Sequence, residues 1–168
     1  MNKKNLKRSL LFIILAVSGS FLLMNIPLGN YAPDIHLETL DGKSISLNSL
    51  RGKPTLLTFW ATDCPGCLKE IPHLKKLHHD FSDDGLTVIA VAMSFDKASN
   101  VTAMTQEKQL PYVIALDSQG SAAKAFGDVR LTPTNFLIAP DGRIALHKIG
   151  EFDVSNMRAR IQSYLGDS

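Results

Sequence analysis

An open α/β sheet with helices on both faces, preceded by an apolar N-terminal segment, is the architecture that this chain of 168 residues predicts. Three observations carry it. Short apolar runs alternate with amphipathic ones, the pattern of successive strand–helix units. Two Asp-Gly pairs, Asp41-Gly42 and Asp141-Gly142, each separate strand-like segments and mark hairpins. Residues 9–33 carry no charge at all and lie after a cluster of four cations, Lys3, Lys4, Lys7 and Arg8.

The elements run in order along the chain. Residues 34–40 and 43–47 form the first hairpin. Residues 54–60, Pro-Thr-Leu-Leu-Thr-Phe-Trp, read as a short buried central strand. From Pro65 to Phe81, Leu68, Ile71, Leu74, Leu77 and Phe81 recur at helical spacing, with Pro72 expected to bend the helix by removing one hydrogen bond. Residues 86–93 make a second β-branched strand, 100–109 a helix and 112–116 a short strand. A brief helix at 121–126 is ended by Gly127. Residues 134–139 and 143–149 form the second hairpin, and 155–165 a last helix that Gly166 is placed to stop. Residues 31–168 therefore read as one domain, without a linker or internal repeat, and residues 1–30 as a separate segment.

Charge narrows the function classes. With four of the 18 basic residues in the first eight positions, the remainder holds 14 against 16 acidic groups. Such a balance gives no basic surface for nucleic acid. Hydrophobic residues at 45% and charged residues at 20% also exclude a disordered or low-complexity chain.

The cations should hold the extreme N-terminus in the cytoplasm and send the rest of the chain across a membrane. Leu10–Leu28 would span about 28 Å as a helix, close to the hydrocarbon thickness. An uncleaved anchor is favoured over a cleaved signal peptide, because cleavage after Ser18-Gly19-Ser20 would leave Phe21-Leu22-Leu23-Met24 exposed. A buried helix of the folded domain is the third reading. Both membrane readings place the domain where disulfides persist.

Only two cysteines are present, Cys64 and Cys67. A bridge closing so short a loop constrains the unfolded chain very little, so the pair is better explained by chemistry than by stability. At a strand–helix junction, Cys64-Pro65-Gly66-Cys67 forms a dithiol suited to disulfide exchange. Cys64 would sit at the helix N-terminus, where free N–H groups favour its thiolate, making it the attacking sulfur. Cys67, one turn inside, suits the resolving role. Half a zinc site is the competing reading, but no second cysteine pair exists. His73, His78 and His79 lie on the same helix at spacings that scatter them over its faces. His78 and His79 read as a solvated polar pair, and Met93 and Met104 as core filler.

Residues 59–67, Phe-Trp-Ala-Thr-Asp-Cys-Pro-Gly-Cys, resemble the active site of the thioredoxin superfamily, in its TlpA/ResA-like branch that includes the CcmG-type proteins. Ala32-Pro33-Asp34, Leu40-Asp41-Gly42-Lys43 and Arg51-Gly52-Lys53-Pro54 are similar to that branch's N-terminal hairpin. Glu70 and Pro72 match its continuation after the second cysteine. Residues 129–134 with 136–138 resemble its cis-proline loop and terminal strand, and residues 93–112 its central insertion. The resemblance implies a thioredoxin-like fold and a membrane-tethered thiol–disulfide oxidoreductase. It further implies the reducing direction, electrons from a membrane thiol transporter of the DsbD/CcdA type, and protein disulfides as substrates. Apocytochrome c and copper-site cysteines are the substrate classes, with no cofactor and no metal.

Carried over residue by residue, Pro133 would come after a cis bond and Thr132 would offer backbone hydrogen bonds to a substrate. A trans proline ending a loop is the alternative. Glu70 would accept a proton as the mixed disulfide resolves, or else be a solvated charge beside Lys69. Trp60 would pack under the loop and help shape the partner groove together with Pro65 and Gly66. Departures are Asp63 where the branch usually has Trp, Leu131 where Gly is common, and Thr58 where cytoplasmic thioredoxins bury an Asp. Peroxiredoxin chemistry is disfavoured because Ala61 stands where a Thr is wanted and Thr62 is one place late. A copper-binding module using Cys64 and Cys67 lacks supporting Met or His ligands.

Overall fold

The computed structural model describes residues 30–166. The expected anchor, Leu10–Leu28, lies outside them. No helix among the described residues is long and apolar enough to cross a membrane.

Seven strands form one sheet: β1 (His36–Thr39), β2 (Ser44–Ser46), β3 (Thr55–Trp60), β4 (Thr87–Ala92), β5 (Val113–Leu116), β6 (Thr134–Ile138) and β7 (Ile144–Ile149). Their order is β2-β1-β5-β4-β3-β6-β7. The centre, β5-β4-β3, is parallel, because helices carry the chain back between those strands. Both hairpins add antiparallel edges, β1 against β5 and β6 against β3. Among the described residues, four helices accompany the sheet: α1 (Pro65–Phe81), α2 (Ala98–Glu107), α3 (Ser121–Ala125) and α4 (Val154–Leu165). A 3-10 turn at Leu47–Leu50 comes directly after the first hairpin.

Every residue of β3 is buried, as its unbroken apolar run predicts, while β7 at the edge has no buried residue. Alternation along the strands splits the core in two. Leu56, Val88, Ala90 and Leu137 meet α1, α2 and α4 through Leu74, Leu77, Val101 and Met157. Leu57, Phe59, Ile89, Val91 and Phe136 meet the other layer, made of α3, the 3-10 turn and the segment around Ala32 and Ile35. There Phe59, Phe126 and Phe136 pack edge-on and tilted, with centroids 4.7–6.1 Å apart. Helices do cover both faces, but the second face has only the five-residue α3. That helix holds because the buried Asp117 carboxylate accepts from the Ala122 and Ala123 N–H groups at 3.0 and 2.8 Å.

Helix α1 runs unbroken through Pro72. Its far end is tied to α4 by an Arg158–Asp80 ion pair, and the guanidinium lies 4.8 Å above the Phe81 ring. The last helix starts one residue earlier than expected, because Asp153 caps it by accepting from Asn156 N–H at 2.6 Å. Gly166 does stand at the end of that helix, but in a right-handed conformation, so its freedom to turn left is not what ends it. His78 departs from the expected solvated pair. It is half-buried with its ring against Tyr112, and burial lowers its pKa, whereas His79 stays exposed.

Candidate active site

Strand β3 delivers the chain to the C-terminal edge of the parallel strands, and the turn 61–64 leads into α1. Cys64 is the N-cap residue, extended in backbone, with Pro65 in the first helical turn, where a missing N–H costs nothing. The two sulfurs are joined as a disulfide, with Cα atoms 5.2 Å apart. Cys67 N–H points at the Cys64 sulfur, 3.2 Å away. Cys64 is 9% exposed and Cys67 only 3%, the asymmetry expected of an attacking and a resolving thiol.

The turn is held from outside by a residue the sequence did not single out. Asp96, in the loop after β4, accepts from Thr62 N–H at 2.6 Å and from Thr62 Oγ1 at 2.9 Å. Thr62 is thereby fixed two positions before Cys64. Beneath the turn lies Trp60, buried among core side chains. Its expected share in the groove is corrected accordingly: it supports the loop and presents almost nothing to a partner.

Of the two readings of Glu70, the solvated charge is the one that the structure removes. One turn beyond Cys67 on the same face of α1, this residue is 2% exposed rather than solvated beside Lys69. Asn135 Nδ2 donates to both carboxylate oxygens at 3.0 and 3.2 Å, and Phe152 N–H donates at 2.9 Å. Burial pushes the pKa up to about 7, with the charge of Glu151 adding to the rise and the Phe152 and Asn135 hydrogen bonds opposing it. Cys67 and Glu70 both line a cavity of about 10 Å³, together with Thr58, Trp60 and Tyr112.

The sequence did contain one signal for this cradle. Asn135 is a fully buried polar residue inside the apolar run Thr134–Ile138. Such a side chain must find a partner, and Glu70 is that partner. Phe152 takes part only through its backbone, which no side-chain pattern reveals.

The Thr132–Pro133 bond is cis, as the loop's resemblance implied. Pro133 packs against Gly66, where an added Cβ would stand 3.2 Å from Pro133 Cδ and 3.7 Å from Glu151 Oε1. Gly150 N–H donates to Pro133 O at 2.7 Å, and Thr134 Oγ1 to Leu131 O at 2.7 Å. Between them, the Thr132 N–H and C=O have no hydrogen-bond partner among the described residues. Six of the sequence candidates, Cys64, Pro65, Gly66, Cys67, Thr132 and Pro133, are therefore gathered at one end of the sheet. Glu70 lies directly below them.

Comparison with known proteins places this geometry. The AhpC/TSA family model matches residues 28–147. The chain belongs to the AhpC/TSA family, within the thioredoxin superfamily. This oxidoreductase is 31% identical over 97% of its length to the thiol-disulfide oxidoreductase ResA of Bacillus cereus, of which it covers 96%. Among solved structures it resembles a putative thioredoxin from Neisseria meningitidis, with TM-score 0.76 and 32% identity over 83% of this chain and 93% of that one. A putative thiol:disulfide interchange protein DsbE from Chlorobium tepidum matches with TM-score 0.75 and 26% identity, over 82% and 97%. The fold is thioredoxin-like, and the reaction is dithiol–disulfide exchange. Cys64 and Cys67, joined as the disulfide, are the only cysteines in the chain.

Proposed function

We propose that this oxidoreductase is tethered to the cytoplasmic membrane by residues 10–28, faces the periplasm or its equivalent, and reduces disulfides in protein substrates. Glu70, buried one helical turn from the inner cysteine with its pKa pushed up to about 7, is the observation that supports the exchange mechanism best, and the resemblance to the TlpA/ResA-like branch supports the reducing direction. In the reduced protein, the Cys64 thiolate attacks a substrate disulfide. One substrate sulfur leaves as a thiolate and takes a proton, and a mixed disulfide forms. Cys67 then loses its proton to Glu70 and attacks Cys64, releasing the second substrate thiol and leaving the Cys64–Cys67 disulfide. Two electrons pass from the protein to the substrate, and a membrane thiol donor of the DsbD/CcdA type restores the dithiol.

Thr132 serves the substrate. Its unpartnered N–H and C=O offer an extended chain a strand-like pairing beside Cys64. Apocytochrome c and copper-site cysteines are the protein classes this reading favours. The cluster of four cations before the apolar stretch supports the membrane orientation.

The test is a trap. Full-length Cys67→Ala expressed in cells should accumulate a mixed disulfide through Cys64, with the captured partner identified by mass spectrometry. Cys64→Ala should capture nothing. Capture by neither variant, together with consumption of hydrogen peroxide by the wild type, would replace this reading with a peroxidase.

A further inference from the structure

Five large apolar residues are exposed among the described residues, and four of them lie on the segments that border the disulfide turn. Leu68 comes immediately after Cys67 in the first turn of α1. Phe95 precedes Asp96, whose carboxylate holds the turn before Cys64. Leu131 lies two positions before the cis proline, and Ile149 stands opposite Thr134 on the neighbouring strand. These four are between 37% and 63% exposed. The fifth, Tyr31, is remote from this group, beside Arg51. Such concentration around one point marks a docking face.

The same face carries charge. Asp63, immediately before Cys64, is exposed and has no ion-pair or hydrogen-bond partner among the described residues. Glu151 reaches the Cys64–Cys67 turn from the other side, beside Gly66 and Pro133. Lys69, the cation that pairs with it, is loosely placed at 3.7 Å with both side chains largely in solvent, a pairing that an incoming cation displaces at little cost. Arg130, the cation of the cis-proline loop, is already committed to Asp128.

We infer that this face receives an extended polypeptide segment with a large apolar residue and a lysine or arginine beside its cysteine, Leu131 of the cis-proline loop taking the apolar residue and Asp63 and Glu151, on either side of the turn, attracting the cation. The inference rests on disulfide reduction by Cys64 and adds its selectivity. Small anionic thiols and acidic segments are disfavoured by the same carboxylates. The occupant is extended because its backbone must reach the Thr132 N–H and C=O, which lie in line with Leu131.

Four synthetic peptides test this, each closed by one internal disulfide and differing only in the residues flanking the attacked cysteine: Leu and Lys, Leu and Glu, Ser and Lys, or Ser and Glu. The pre-reduced full-length chain in neutral detergent is mixed with each at pH 7, quenched in acid and alkylated. Each rate is divided by that peptide's rate with dithiothreitol, because a neighbouring cation also makes the peptide thiol a better leaving group.

The Lys peptides should exceed the Glu peptides by roughly 5- to 20-fold at low salt, falling below about 2-fold in 0.5 M salt, as exposed charge pairs do. Asp63→Asn should lower the Lys-to-Glu ratio by roughly 2- to 5-fold. Leu131→Ser should lower the Leu-to-Ser ratio by about 3-fold or more, as partial loss of apolar burial requires. Normalised rates within 2-fold of one another across all four peptides would overturn the inference and leave the reductase reading intact. Reduction of none of them would overturn the reductase reading itself.

Discussion

Replacing Glu70 with Gln separates the two consequences of burying that carboxyl. The swap keeps the volume. The Gln carbonyl still accepts from Phe152 N–H and from one arm of Asn135, whose Nδ2 also donates to Gly150 O at 3.2 Å. What disappears is ionisation. A carboxyl whose pKa rises from 4.5 to about 7 on folding binds its proton more tightly in the native state. Stability from this group is therefore complete below about pH 4.5 and is lost as pH rises through 7. The shift corresponds to up to about 3 kcal/mol. Urea unfolding of the oxidised protein should show this loss between pH 4.5 and 8 in the wild type, and a flatter profile for Glu70→Gln.

Kinetically the loss appears elsewhere. An ordinary thiol of pKa about 8.5 is only about 3% thiolate at pH 7, so removing the acceptor should slow resolution by roughly 10- to 100-fold and initial attack much less. Stopped-flow reduction of a model disulfide across pH 5–9 separates the steps. Parallel stability profiles together with unchanged resolution rates would refute the assignment and leave Cys67 to lose its proton to water.

Asp96→Ala removes both hydrogen bonds to Thr62; it should cost about 1–3 kcal/mol and change the alkylation rate of Cys64 more than that of Cys67, measured on the reduced protein. Gly66→Ala brings a methyl to 3.2 Å from Pro133 Cδ, so the turn or the proline loop must give by a few tenths of an ångström. A loss of about 1 kcal/mol in oxidised-state stability is expected from urea midpoints, at the low end of overpacking. If residues 10–28 remain as an anchor, the protein should resist high-salt and carbonate extraction and keep its N-terminal residues; a soluble species beginning near Phe21 would refute the anchor while leaving export intact.

Much of this molecule is written in short-range pattern. The run Thr55–Trp60, the helical spacing from Pro65 to Phe81 and the Asp-Gly turns each specify an element locally, because apolar periodicity and turn chemistry act within a few residues. The dithiol is equally local, since three positions and a helix start bring Cys64 and Cys67 together. The environment of Glu70 is not. On α1 its neighbour Lys69 is exposed, and nothing within a few residues distinguishes a solvated glutamate from a buried one. Burial comes from the sheet and from the loop before α4, which deliver Asn135 and Phe152 from 65 and 82 positions away. Asp96 reaches Thr62 across 34 positions for the same reason. Elements, cysteine pair and family motifs are legible because each depends on neighbours in the chain. The raised pKa of Glu70 is not, because it depends on solvent exclusion and on donors that the fold, not the chain, brings beside it.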